Sequence, residues 1–376
     1  MATPDLLIVG GSVRAAAWCA VRAGLKVAAL DRYNDLDLLA VAEPCFKWDG
    51  SDEQVERVVG ELGVPWMYTG PLENRPDLVD RCAALAPLRG NPGDVLRAVR
   101  DPVRVRTVLR EAGLPALEVR VEHDPPPADG TWLLKPRASC GGRGIVVWNR
   151  KAAGHPTLRE PHYFQERDGF RPPYVLKEID ALHHCSAVGV RVKREVRPLG
   201  HTDWLDPPVD GGAEDFAFRS LSAWNVPVWS EPMSKPAFAL AEAFELEGPF
   251  SVDFAATVGR GDDPPEFLRV VEVNPRFTAS MDLLRNPFGR EDPPTHLHAG
   301  KRIVFAPFDC RAPELPLRKT SFLDGVADVP APGSLIKRGE PVCSVLEFTP
   351  GDGRPSVTAR RIAALAKEVT GRLAPA

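Results

Sequence analysis

The sequence predicts a mixed chain, α/β at its start and α+β afterwards, and three observations predict it. A strand, glycine turn, helix and second strand run from residue 6 to residue 31. Two apolar runs flank a glycine-rich loop near residue 140. Between residues 250 and 274, two period-two strands are separated by a turn. The first pattern belongs to a doubly wound layer, and the other two to hairpins of a mixed sheet.

In chain order, Leu6 to Val9 is a buried strand, Gly10, Gly11 and Ser12 form the turn, and Val13 to Ala23 reads as a helix closed by Gly24. Lys26 to Leu30 follows as a strand ending at Asp31, and helical spacing recurs over Gln54 to Leu62 and Val95 to Ala112. GGSVRA lacks the three spaced glycines of a dinucleotide fingerprint, so a nicotinamide or flavin site here is a minor alternative. A second mixed unit begins near Asp101, with strand candidates over Trp132 to Trp148 and Tyr174 to Val192. After Gly300, short turn-separated runs such as Gly333 to Phe348 predict a small β-rich tail, closed by a helix over Val357 to Leu373. These divisions give domains over 1–100, 101–299 and 300–376.

Composition narrows the functional classes. At 376 residues the chain is long enough for two or three packed units, and 44% hydrophobic with 26% charged residues is the balance of a folded globular protein. A net charge of −4 leaves no basic excess for nucleic-acid phosphates, so no nucleic-acid partner is expected. No apolar run reaches the ~18 residues of a membrane span, and the first residues carry no signal-like core, so a cytoplasmic protein without a membrane partner is expected. Seven scattered cysteines without a CxxC pair read as reduced thiols. The 39 prolines, about twice the usual ~5% share, mark rigid connections.

Two segments carry chemistry. Lys135 ends one apolar run, and Gly141, Gly142 and Gly144 follow in the loop before Ile145. Glycines let backbone N–H groups approach an anion and a neighbouring lysine adds charge, which suits a nucleoside triphosphate; a flexible hairpin with a surface lysine is the plainer alternative. The second segment places Asp253 on the polar face of one strand and Glu272 and Asn274 on one face of the next. If the strands pair, the three form an all-oxygen set of the kind Mg²⁺ prefers. A solvated polar face is the alternative, but Glu272 lies amid Val270, Val271 and Val273, where a buried carboxylate needs a compensating partner. Arg276 follows at the same end. His183, His184 and Cys185 do not make a convincing metal site, because neighbours on a strand face opposite ways. Arg14, opening the first helix, is a candidate contact for a carboxylate substrate, or else an ordinary helix-surface arginine.

LLKPRASCGGRGI, then GPFSVDF and VVEVNPRF, together resemble the ATP-grasp superfamily. More narrowly, the chain resembles ATP-dependent carboxylate-amine ligases with an N-terminal Rossmann-like domain, a likeness that extends to VGGSVRAAAWCAVRAG and ADVPAPGSLIKRGEPVCSV. The resemblance implies a Rossmann-like pre-ATP-grasp domain, a two-lobed ATP-grasp domain and a small β-rich tail with a terminal helix. It implies ATP and Mg²⁺, or Mn²⁺ in its place, as cofactors. It puts Lys135 on the ATP phosphates, Gly141, Gly142 and Gly144 in the flap above them, and Lys177, Glu178 and Ile179 at the adenine and ribose hinge. Asp253, Glu272 and Asn274 match the metal ligands, and Arg276 the arginine that stabilises the transferring phosphoryl group. Two positions depart from the pattern: Asp101 is followed by Pro102 rather than a lysine, and no glycine turn follows the hinge.

The implied activity is an ADP-forming ligase that turns a carboxylate into an acyl phosphate and joins it to an amine, with a place in one-carbon coenzyme biosynthesis of the tetrahydromethanopterin or methanofuran type. Its partners are small-molecule acids and amines, and a homodimer is the ordinary prior. A bicarbonate-activating carboxylase on the same fold and a non-catalytic ATP-binding module are the alternatives.

Overall fold

The computed structural model describes residues 3–167, 182–204, 220–223, 227–257, 268–284, 286–289, 298–315, 325–349 and 355–376. Its first layer is a parallel sheet of β1 (Leu6–Gly10), β2 (Val27–Asp31), β3 (Ala42–Lys47) and β4 (Trp66–Tyr68), in the order β3-β2-β1-β4. Every residue of β1 and β2 is buried, as parallel strands covered on both faces must be. The helices α1 (Arg14–Arg22), α2 (Leu36–Leu39), α3 (Asp52–Leu62) and α4 (Pro76–Ala83) connect and flank it. Local chemistry sets the ends of α3: Ser51 accepts from the Gln54 N–H, and Gly63 closes the helix at φ +60°.

The helical spacing over Val95 to Ala112 resolves into two helices, α5 (Gly93–Val99) and α6 (Pro102–Glu111). Pro102 has no N–H for a continuing helix, so it starts a new one with Asp101 as its cap, accepting from Val103 N. A small antiparallel sheet follows, built from β5 (Val119–Val121), β6 (Asp129–Pro136), β7 (Val146–Asn149) and β8 (His162–Glu166), in the order β5-β8-β6-β7.

The largest sheet runs β13-β12-β9-β10-β11-β14-β18-β16. Its strands are β9 (Leu182–Val192), β10 (Glu195–Trp204), β11 (Ser220–Ala223), β12 (Gly248–Thr257), β13 (Leu268–Asn274), β14 (His298–Phe305), β16 (Gly325–Ala327) and β18 (Pro341–Thr349); β15 (Cys310–Arg311) pairs separately with β17 (Leu335–Ile336). The helix α7 (Pro227–Ala243) buries Met233, Leu240 and Ala241 against Phe250, Val252 and Phe254 of β12. The last helix, α8 (Pro355–Gly371), packs Ile362 and Ala366 on Val304 and Val345. Because β11 pairs with β14, one sheet crosses the boundary expected near residue 300 and joins the β-rich tail to the central unit. No helix among the described residues is long and apolar enough to cross a membrane.

Candidate active site

The C-terminal ends of the parallel strands, the β6–β7 loop and one face of the large sheet enclose a cavity of about 1620 Å³. Ligand crevices of open parallel sheets lie at these strand ends. The residues expected to bind phosphate and metal come to this cavity from different walls. Lys135 and Gly141, Gly142 and Gly144 line it from the small sheet, and Asp253, Glu272, Asn274 and Arg276 from the large one.

Strand register explains the acidic set. Asp253 lies directly opposite Glu272 and Ser251 opposite Asn274, while Ser186 of β9 flanks Asp253 on its other side. Asp253 Oδ1 accepts from Ser186 Oγ at 2.7 Å and Oδ2 accepts from Asn274 Nδ2 at 3.0 Å. Burial, and then the neighbouring Glu272 charge, push the Asp253 carboxyl up to about 7. Glu272 is not the buried carboxylate its valine neighbours suggested: its side chain is 35% exposed and pairs with Arg100 Nη1 at 3.2 Å. Val270 and Val273 turn into the core, leaving Glu272 at the cleft. Among the described residues no three His, Cys, Asp or Glu side chains gather as a metal set. The donors here are two carboxylates and an amide, an oxygen set that suits Mg²⁺ when phosphate and water complete it. The raised Asp253 carboxyl fits that ion, since a divalent cation would relieve the repulsion from Glu272.

Lys135, 7% exposed, reaches across the cleft. Its Nζ donates to Gln165 Oε1 at 3.0 Å and to the Val271 carbonyl of β13 at 3.3 Å, and lies 5.7 Å from the Tyr163 ring centroid. Among the described residues no carboxylate pairs with it, so its charge is held by neutral oxygens and remains free to meet an anion. The adjoining loop needs its glycines, with φ of +65°, +80° and +72° at Gly141, Gly142 and Gly144. A Cβ at Gly144 would meet Thr157 Oγ1 at 3.2 Å and Pro136 Cγ at 3.3 Å, whereas one at Gly141 would meet nothing.

Arg276 is held by residues the sequence did not single out. Its Nε lies 2.7 Å from Oε1 of Glu73, which is 1% exposed, and its Nη2 donates to Asn274 Oδ1 at 3.2 Å. Arg100 ties the loop base to the same wall, donating to the carbonyls of Arg137 at 2.9 Å and Ser139 at 3.0 Å. Glu73 sits in a short 3-10 turn and Arg100 at the end of α5, so neither carries a periodic signal. Gln165 and Ser186 lie on strands and were findable only through the partners they face.

One expectation is corrected, and one minor alternative loses its support. Arg14 does not present itself to a substrate: it is 4% exposed, with Nε 2.9 Å from Asp328 and Nη2 2.7 Å from Asp282. The chain's own carboxylates take its donors. The glycine turn after β1 is not an anion cradle either. Gly11 N donates to the Gly70 carbonyl and Val13 N to Asp31 Oδ2, both at 2.7 Å, and a Cβ on Gly10 would come within 2.0 Å of Thr69 Oγ1. Those glycines let β1 and β4 approach, and the carboxylate at the start of α1 occupies the place where a dinucleotide pyrophosphate would bind. Lys177, Glu178 and Ile179 lie outside the described residues. Cys185, on β9, is buried in the apolar core.

No protein-family model matches the chain, and no curated protein matches it. Solved structures do. A Rhizobium etli pyruvate carboxylase with acetyl coenzyme A superposes with a TM-score of 0.69 at 14% identity, over 97% of this chain and 37% of that one. The biotin carboxylase domain dimer of the Hydrogenobacter thermophilus 2-oxoglutarate carboxylase, in complex with MgADP, ADP and bicarbonate, gives 0.67 at 14% identity, over 97% and 90%. The N5-carboxyaminoimidazole synthase of Aspergillus clavatus, with ADP and 5-aminoimidazole ribonucleotide, gives 0.67 at 15% identity, over 98% and 100%. The chain therefore has the fold shared by these carboxylases and this synthase over nearly its whole length.

Proposed function

We propose that this chain is an ATP- and Mg²⁺-dependent ligase that activates a carboxylate as an acyl phosphate and joins it to an amine. The observation that carries the reading is Lys135, paired with no carboxylate among the described residues, in one cleft with the Asp253, Glu272 and Asn274 set. A triphosphate lying between them would complement the lysine directly and the carboxylates through a cation. Asp253, Glu272 and Asn274 would hold Mg²⁺, which screens phosphate charge when bound.

The chain's own residues then have distinct tasks. Lys135 draws charge from the phosphate oxygens, and Arg276, fixed by Glu73, meets charge developing on the transferring group. The substrate carboxylate oxygen bonds to the γ-phosphorus as the bond to the bridging oxygen breaks and ADP leaves. The amine nitrogen next bonds to the acyl carbon, the carbon–oxygen bond to phosphate breaks, and the nitrogen gives up one proton to the departing phosphate. The glycine loop excludes the water that would hydrolyse the acyl phosphate.

The fold neighbours support this reading, since two of those described bind ADP. Sequence resemblance supports a finer proposal, a place in one-carbon coenzyme biosynthesis. Bicarbonate in the 2-oxoglutarate carboxylase structure favours a second reading, carboxylation, in which bicarbonate is the acid activated. The experiment is ADP release with Mg·ATP against a grid of carboxylic acids, amino acids and bicarbonate, with mass spectrometry of condensed products. Release that needs both an acid and an amine is expected, and it should fall about a hundredfold in Lys135→Ala and Glu272→Ala. Release that needs bicarbonate alone selects carboxylation, and wild-type rates in both variants overturn the site.

A further inference from the structure

One wall of the cleft is backed by a cluster of carboxylates, of which Asp35 and Asp328 line the cavity itself. Asp31, Asp35, Asp37, Asp282 and Asp328 gather there against two cations, Arg14 and Lys301. All but one of the five are accounted for. Asp31 accepts from the backbone N–H groups of Val13, Tyr33 and Asn34, and Asp37 from those of Asp328 and Val329. Asp282 takes Arg14 and Lys301, and Asp328 takes Arg14.

Asp35 is the exception. It is 6% exposed and lines the cavity, and among the described residues its carboxylate has neither a hydrogen bond nor an ion pair. It stands at the N-cap of α2, where an aspartate ordinarily folds back onto the helix N–H groups, yet it makes no such bond. Asp328, Asp31 and Asp37 surround it with like charge, and burial with that repulsion pushes its carboxyl up to about 8. A carboxylate so placed is costly unless a cation meets it.

Asp35 shares its cavity with Gly11, Gly70 and Arg276. Gly11 donates to the Gly70 carbonyl, and a Cβ on Gly70 would lie 3.3 Å from Arg276 Cζ. Tyr33 and Leu335, both exposed, add apolar surface to the same cavity.

We propose that Asp35, backed by Asp328, is the subsite for the ammonium group of the second substrate, which enters the cleft as a cation and passes one proton to the Asp35 carboxylate before its nitrogen attacks. The proposal rests on the ligase reading and narrows its acceptor to an ammonium-bearing molecule. An acceptor whose nitrogen is uncharged in solution, such as an aromatic amine or an amide, is excluded by it.

The test is calorimetric binding to the full chain, with and without Mg·ADP. The probes are ethylammonium, glycinamide, glycine and putrescine, with N-acetylglycinamide as the uncharged control. At least one ammonium probe is expected to bind at up to about 10 mM while the acetylated control does not. Asp35→Asn should weaken that probe about tenfold or more and leave Mg·ADP affinity within about twofold. The wild-type contrast needs no variant, so a poorly folding Asp35→Asn does not shelter the idea. Equal binding of the acetylated control, no binding by any ammonium probe, or an unchanged affinity in a folded Asp35→Asn overturns it. Failure of Mg·ADP to bind the wild type would instead count against the ligase reading, and the titrations without nucleotide keep the two failures apart.

Discussion

Replacing Asp253 by asparagine should make the ligand-free protein more stable and the enzyme inactive. Raising this carboxyl from its ordinary 3.8 to about 7 means that the ionised form costs the folded state about 4 kcal/mol, at about 1.4 kcal/mol per pH unit. Asp253 is partly open to the cleft, so water screens some of that, and roughly 2–4 kcal/mol is the expected effect. A carboxyl raised in the folded state contributes its full stability below the unfolded value and loses it as pH rises through the folded one. The wild type therefore loses this increment between about pH 4 and pH 7, and the asparagine variant does not.

The substitution keeps the local bonds. An amide can turn its oxygen to Asn274 and its nitrogen to Ser186, whose hydroxyl accepts as readily as it donates. Urea unfolding of both proteins across this range is the assay. The variant should be more stable by roughly 2–4 kcal/mol at about pH 8, with the gap closing near pH 4. Mg·ADP should stabilise the wild type strongly and the variant weakly, because binding to the native state alone adds to stability. A variant less stable than the wild type at about pH 8, or equally stabilised by Mg·ADP, would refute both the electrostatic account and the metal assignment.

Two further outcomes follow from the geometry. Arg14→Ala should destabilise the fold by about 3–5 kcal/mol, because it strips the buried partner from Asp282 and Asp328; a variant of normal stability with weakened substrate binding would return Arg14 to the substrate. Gly144→Val should raise the KM for ATP about tenfold, since a β-branched residue at φ +72° strains the loop by about 1–3 kcal/mol; unchanged KM would remove the loop from nucleotide binding.

The sequence alone determined the local grammar. Leu6 to Val9 and Lys26 to Leu30 are apolar enough to be read as buried strands, close to the observed Leu6–Gly10 and Val27–Asp31, and period-two spacing put Asp253, Glu272 and Asn274 on readable faces. The glycines of the β6–β7 loop marked it as a backbone able to approach an anion, and their positive φ values show why glycine stands there. Pro232 and Pro236 hid α7, whose helix is stabilised by the core beneath β12 rather than by its own propensity.

Only the tertiary structure decided which charges are spent and which are left over. Lys135 and Arg14 look alike in sequence as cations beside glycine turns. One faces neutral oxygens at an open cleft and the other is enclosed by aspartates from residues 282 and 328. Glu73 and Arg100 acquire their meaning from partners far away in the chain, and Asp35 from lacking one among the described residues. Electrostatic energy depends on separation in space and on burial, and neither quantity is written in the local order of residues.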